Sequence, residues 1–308
     1  MSTLTPISRS VRIWAPDPLV KLFPELGFPA GAPRTVRLEA ACGEVVSGQI
    51  ALRCEGIRFK NHGGVDGCGV DRVDIAPLAL AGQHPAAGGI PVEARWVGHT
   101  YVPTAAGGVA AERLEGKAPG FYPDPLYPVH QTITNPHHYN PDHSAALVNG
   151  RTQGLWLTIR VPRDAVPGEY TGEARLRIAY FGDILRVPIR LRVYAAALAL
   201  RPSCGVENWF VLASVVRQHE CQWFDERFWT LVEAYLRNLA DHRETHLVVP
   251  MYELIGFLPA AGGGLRLDWA KFDRFVTLAL EAGLIFLSGN HLATYTYGTP
   301  WYACGVHT

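Results

Sequence analysis

The sequence predicts a multi-domain chain, β then α/β: an antiparallel β-sandwich over residues 1–197, then an incomplete (β/α) barrel over residues 203–308 with about three strands and two helices. Three observations predict it. Apolar residues alternate with polar ones at period two through the first part. After Pro202 the period changes to three and four. In that second part, amphipathic stretches alternate with apolar runs of strand length, the pattern of parallel βαβ units.

The clearest strand carries Leu155, Leu157, Ile159 and Val161, with Trp156, Thr158 and Arg160 on its other face. A turn through Pro162 to Gly168 leads to a second alternating run, Tyr170, Gly172, Ala174, Leu176, Ile178 and Tyr180. Phe181-Gly182-Asp183 then turns into a third, Leu185, Val187, Ile189, Leu191 and Val193. Three runs with short turns predict an antiparallel meander with one buried face. Pro188 inside the third run predicts an edge strand, since proline has no N–H for a ladder. Val11–Trp14, Thr35–Leu38, Gln49–Arg53, Arg72–Ile75 and Val92–Val97 read as earlier strands. Residues 98–149 are rich in Pro, Gly and His and read as one long irregular loop.

Ala195 to Pro202 reads as the linker. Beyond it, Gly205–Leu212 predicts a strand. Asp225 predicts the N-cap of a helix whose apolar face is Phe228, Leu231, Val232, Tyr235, Leu236 and Leu239. His246–Tyr252 predicts a second strand. Asp268 predicts a second N-cap, before Phe272, Phe275, Val276, Ala279 and Leu280, and Gly283 a helix stop. Leu284–Gly289 predicts the third strand. Three strands do not close a barrel, which takes eight strands and about 250 residues. The reading therefore expects the barrel, and chemistry on its later strands, to continue past Thr308.

Composition excludes several classes of function. Lys+Arg and Asp+Glu are both 28, so the formal net charge is zero, and no basic stripe points to nucleic acid or an anionic membrane. No run approaches the roughly 20 apolar residues of a membrane span. Met1–Arg12 lacks an apolar signal-peptide core, which leaves the compartment open with the cytoplasm favoured. Six cysteines, at 42, 54, 68, 204, 221 and 304, form no CxxC pair and read as reduced, mostly buried thiols. Gly262-Gly263-Gly264 lacks the Lys-Ser/Thr of a phosphate loop and reads as a turn, so no cofactor is expected.

Five stretches, in order, resemble glycoside hydrolase family 123 and its uncharacterised glycosidase-like relatives. They are Arg37 to Glu44 with Gln49 to Leu52; Tyr122-Pro123-Asp124-Pro125-Leu126; Val161-Pro162 with Ala165 to Gly172; Tyr235 to Arg243; and Gly289-Asn290-His291-Leu292-Ala293. The resemblance implies a β-sandwich in front of a (β/α)₈ glycosidase barrel. It also implies a retaining, substrate-assisted β-N-acetylgalactosaminidase. In that chemistry the substrate acetamido oxygen attacks the anomeric carbon, an Asp orients it, and an adjacent Glu is general acid and then base, outside the scheme of two protein carboxylates. The one adjacent Asp-Glu pair in the sequence is Asp225-Glu226. It opens a helix instead of ending a strand, where capping and the helix dipole account for it. No catalytic residue is therefore assigned, and the implied pair is expected beyond Thr308.

Substrate-binding residues are expected where strands end, since a barrel carries its site at their C-terminal face. Tyr252, Asn290, His291 and Trp301 are the candidates, with Glu207, Asn208, Glu253 and Tyr302 beside them. Aromatic rings there stack on sugar faces, and polar groups hold hydroxyls. The alternative for Tyr252 and Trp301 is packing between barrel and sandwich, and for Glu207 and Glu253 a structural bond. The loop Asn135–His143 holds three His and an Asp, but Pro136 and Pro141 break any helix that would align them, and no metal is assigned. The expected partner is a carbohydrate substrate, with no nucleic acid and no membrane. The competing reading is a non-catalytic carbohydrate-binding or structural module whose half-barrel is covered by a homo-oligomer or a partner chain.

Overall fold

The computed structural model describes residues 10–58, 66–82, 89–105, 107, 110–116, 118–129, 145–179, 181–200 and 202–289. It divides into two compact units, Met1–Leu198 and Ala199–Thr308.

The first unit carries strands β1 (Val11–Trp14), β2 (Val36–Cys42), β3 (Val45–Cys54), β4 (Gly67–Ile75), β5 (Ala79–Leu80), β6 (Val92–Val102), β7 (Gly120–Pro128), β8 (Ala145–Val148), β9 (Thr152–Arg160), β10 (Gly168–Ile178) and β11 (Ile184–Ala197). Among the described residues they form a five-stranded sheet in the order β1-β3-β9-β6-β7. A six-stranded sheet runs β2-β11-β10-β4-β8, with β5 beside β10. Every pairing is antiparallel except β2 with β11. Ile50, Leu52, Leu155, Leu157 and Ile159 from the first sheet meet Ala174, Leu176, Val187, Ile189 and Leu191 from the second, all fully buried in one core. Period-two alternation dictates this, because it puts each strand's apolar set on a single face.

The expected meander is corrected. β10 and β11 are a hairpin, Gly168 opposite Val193 through Arg177 opposite Ile184. β9, however, pairs with β3 and β6 in the opposite sheet. The Pro162–Pro167 segment is a crossover between sheets, not a hairpin turn. The Tyr170 hydroxyl pins it by donating to the Val166 carbonyl at 2.9 Å. The edge strand expected from Pro188 is corrected too. β11 lies between β10 and β2, but its register with β2 begins only at Ile189, so Pro188 sits on the stretch that β2 leaves uncovered. Residues 98–149 are not one loop, since the end of β6, all of β7 and β8 lie there. β7 tolerates Pro123 and Pro125 because it is the outermost strand of its sheet.

Residues 17–33 cross the outer face of the five-stranded sheet as a strap. Side chains of the sheet hold its carbonyls. Gln49 Nε2 donates to Asp17 O at 2.6 Å and Val20 O at 2.8 Å. Thr152 Oγ1 and Arg53 Nη1 donate to Leu26 O at 2.6 and 3.1 Å. The buried His99 places Nε2 3.4 Å from Leu22 O. Under the strap Trp14, Leu22 and Ala51 form a second, smaller core.

The second unit contains β12 (Glu207–Trp209), α1 (Leu212–His219), α2 (Glu226–Asp241), β13 (His246–Val249), α3 (Met251–Leu254), β14 (Gly256–Pro259), β15 (Leu265–Asp268), α4 (Ala270–Ala282) and β16 (Phe286–Gly289). β12, β13 and β16 form a parallel sheet with β13 in the middle. Leu247, Val249 and Leu287 pack on one face against Phe228, Val232 and Leu236 of α2 and Phe275 and Ala279 of α4. Asp225 caps α2 as expected, accepting from Phe228 N at 2.6 Å. Asp268 ends β15, and its Oδ1 accepts from Ala270 N at 3.1 Å, while Trp269 holds the N-cap position. The run His246–Tyr252 divides into β13 and the turn of α3. Gly262–Gly264 does turn, closing the hairpin of β14 and β15 with φ of 82° at Gly263 and 93° at Gly264. Among the described residues no helix is long and apolar enough to cross a membrane.

Two outcomes follow from the first unit. Leu157→Ala should lower its stability by about 2–5 kcal/mol, read by urea unfolding, since the void left in a closed inter-sheet core cannot collapse. Burial holds His99 below the ordinary histidine value, with Arg151 also lowering it and the Leu22 carbonyl and Glu25 opposing. The unfolded chain therefore takes the proton first. Stability is full above about pH 6.5 and is lost as pH falls through the depressed folded value. The melting temperature between pH 7.5 and 5 should fall less in His99→Gln than in the parent, and parallel slopes would refute this.

Candidate functional site

One face of the parallel sheet points away from the helices. Register puts Glu207 level with His246 and Phe286, and Trp209 level with Val248 and Ser288. Residues two apart share a face, so Glu207, Trp209, His246, Val248, Phe286 and Ser288 all lie on this one. Ser288 Oγ donates to Glu207 Oε1 at 2.7 Å. The two belong to strands on either side of β13, about 9.5 Å apart in a flat sheet. The long Glu207 side chain and Ser288 thus meet across the face of β13.

At the start of the strands the His246 ring stacks on Phe286, with centroids 4.3 Å apart and planes 13° from parallel. Thr245 Oγ1 lies 2.8 Å from His246 Nδ1 and fixes the ring from behind. Gly205 makes room for it, since a Cβ there would lie 2.4 Å from the imidazole. Trp209 at the far end and Phe286 at the start expose 60% and 53% of their surface on the same side. At the mouth, Gly289 ends β16 against α3, where a Cβ would meet Met251 Sδ at 2.7 Å.

The structure distributes the expected residues unevenly. Tyr252 lies in α3, directly after β13, 37% exposed. Glu253 is its neighbour in the same turn. Asn290, His291, Trp301 and Tyr302 lie outside the described residues, as does the histidine loop Asn135–His143. Glu207 opens β12 instead of ending it. Asn208 is on the opposite face, donating from Nδ2 to Glu244 Oε1 at 2.8 Å. Trp209 and Ser288 were missed by the sequence reading, although alternation from Glu207 and from Phe286 places both on this face. Among the described residues no three His, Cys, Asp or Glu gather as metal ligands.

Asp225-Glu226 is occupied by structure. Asp225 caps α2, and Glu226 takes a two-pronged ion pair from Arg274 at 3.0 and 2.9 Å. That guanidinium holds the Glu226 carboxyl below the usual carboxylate range. A general acid at neutral pH needs the opposite shift. Pronounced concavities lie in the first unit, one of about 270 Å³ beside Trp156 and Asp124 and one of about 650 Å³ among Phe23, Tyr101 and Tyr122. Each is lined by a single carboxylate, Asp124 in one and Glu25 in the other, and the sheet face likewise carries only Glu207 among its described residues, but it adds the exposed rings of Trp209 and Phe286.

A family match bears on the relationship. Residues 209–307 match the family described as glycoside hydrolase 123, catalytic domain. About a third of the chain is therefore similar to that family's catalytic domain. The fold agrees with that of a family 123 glycoside hydrolase from Clostridium perfringens, described for glycolipid glycan hydrolysis. That similarity has a TM-score of 0.63 at 12% identity, over 92% of this chain and 48% of that one. The chain thus spans about half the length of that enzyme. The CooA pilin subunit from enterotoxigenic Escherichia coli is also similar at 10% identity, over 59% of this chain and 96% of that one, with a TM-score of 0.26 that carries no argument. No curated protein sequence matches the chain.

Gly205→Val should drive a methyl group into the His246 ring and break its stack on Phe286. Overpacking of this kind costs about 1–3 kcal/mol. The loss should appear in urea unfolding of the second unit, with the first unit unchanged.

Proposed function

We propose that this chain supplies the sandwich and the opening strands of a glycoside hydrolase barrel that acts on glycans. The observation that carries the reading is the parallel-sheet face, mostly within the segment similar to family 123, where Trp209 and Phe286 present rings beside the Glu207–Ser288 pair. Sugars have apolar C–H faces that stack on rings, and hydroxyls that need donors and acceptors, so such a face suits a pyranose. Tyr252, Asn290, His291 and Trp301 are proposed to line the same pocket from the loops after β13 and β16.

The finer proposal is a retaining, substrate-assisted β-N-acetylgalactosaminidase, with glycans of the glycolipid kind named for the Clostridium perfringens enzyme as candidate substrates. The substrate acetamido oxygen attacks the anomeric carbon, and a Glu protonates the departing oxygen. An adjacent Asp steadies the positive charge developing on the acetamido group. This separation of tasks needs a carboxylate and a protonated carboxyl side by side. Asp225 and Glu226 are committed elsewhere, which supports a working pair outside residues 1–308. No metal or cofactor enters the scheme.

One observation favours a second reading. Rings as exposed as Trp209 and Phe286 on one sheet face call for a cover, and a second copy or a partner chain would supply it as well as further strands of the same chain. The test is an assay with 4-nitrophenyl N-acetyl-β-D-galactosaminide. Residues 1–308 should release no nitrophenol, whereas the complete gene product from its source should do so with retention of configuration. Turnover by the purified 308-residue chain would overturn the placement of the pair. An inactive gene product that runs as a dimer would support the covered binding module.

A further inference from the structure

We propose that Cys54 and Cys68 are an oxidisable pair that forms a disulfide between the two sheets of the first unit when the chain meets a small-molecule disulfide such as oxidised glutathione. Cys54 is the last residue of β3, in the five-stranded sheet, and Cys68 is the second residue of β4, in the six-stranded sheet. Both converge on one residue of β8. Cys68 faces Leu147 in the antiparallel register, which sets those Cα atoms about 4.5–5.5 Å apart. Cys54 Sγ donates to the carbonyl of the same Leu147 at 3.3 Å. Cys54, Cys68 and Leu147 all point into the shared core, with 0%, 1% and 0% of their surface exposed. That convergence brings the two cysteines into the range a disulfide spans.

The two thiols also act on each other chemically. A side-chain hydrogen bond from Cys68 lowers Cys54 below the ordinary thiol value, against the effect of burial, and the same bond raises Cys68. No other described cysteine has such a partner. Cys42 donates to the carbonyls of Ala165 and Tyr194 at 3.4 and 3.5 Å, and Cys204 and Cys221 belong to the second unit.

The reaction balances as two exchanges. One of the two cysteines loses its proton and its thiolate attacks one sulfur of oxidised glutathione, breaking that S–S bond and expelling one glutathione thiolate, which takes up the proton. The other cysteine then gives up its proton and attacks the sulfur of the first, expelling the second glutathione as a thiol. Two protein thiols are oxidised, and one small disulfide is reduced to two thiols. Because both sulfurs are buried in the closed sandwich, the exchange belongs to the stage at which β3 and β4 are not yet packed together.

The test is refolding from urea in a mixture of reduced and oxidised glutathione. Unreacted thiols are then blocked with N-ethylmaleimide under denaturing, acidic conditions, and peptides are mapped by mass. The expected result is a peptide linking Cys54 to Cys68 as the main disulfide, and a higher melting temperature before than after treatment with dithiothreitol. Cys68→Ser should abolish both the link and the dithiothreitol-sensitive shift. If that variant does not fold, the parent map still decides. N-ethylmaleimide on both residues, or glutathione held on either of them without the link, would overturn the proposal.

Discussion

Ile50, Leu52, Leu155, Leu157 and Ile159 press against Ala174, Leu176, Val187, Ile189 and Leu191 with no accessible surface left on any of them. This closure between two sheets depends on strict alternation, because slipping one strand by a single residue would turn its whole apolar set outward. Everything else in the first unit is arranged around it. The crossover from β9 to β10 exists because those two strands must face each other across the core instead of pairing. The Tyr170–Val166 bond holds that crossover in place. Burial at full side-chain size stabilises such a core by about 1.5–3 kcal/mol per large residue, an upper figure because the unfolded chain is itself partly collapsed.

The opposite face of the five-stranded sheet solves another problem. Residues 17–33 run over it without a ladder, and their carbonyls would lose water on burial. Gln49, Thr152, Arg53 and His99 reach out of the sheet to satisfy them. That explains why four polar side chains stand where alternation alone would suggest a solvated face, three of them, Gln49, His99 and Thr152, buried. A buried polar group without a partner costs about 1–3 kcal/mol, so the strap and its donors are specified together.

Strands were legible in the sequence, and their partners were not. Alternation in Leu155–Val161 shows that the segment is a strand with one apolar face. It carries nothing about whether that strand lies beside β10 or across from it. The cap at Asp225 was readable because donor and acceptor are three residues apart. The Glu207–Ser288 bond was not, since its residues are 81 apart and meet only through the sheet. The apolar run His246–Tyr252 has no period long enough to separate strand from helix, and Pro250 divides it, leaving Tyr252 on a helical turn. Glu207 shows the same limit, because a three-residue strand leaves its first and last positions indistinguishable until the register is known.

The parallel pairing of β2 with β11 joins Val36–Cys42 to Ile189–Ala197, so one rim of the six-stranded sheet is made from the beginning and end of the first unit. During synthesis the early strand must wait for nearly the whole unit before its partner exists. Loop closure over that distance is unfavourable until many contacts repay it together, which makes for slow, cooperative folding. The waiting strand also presents an unpaired edge to any neighbouring chain in the meantime. Its charges at Arg37 and Glu39, alternating with Val36, Leu38 and Ala40, blunt that edge while it waits.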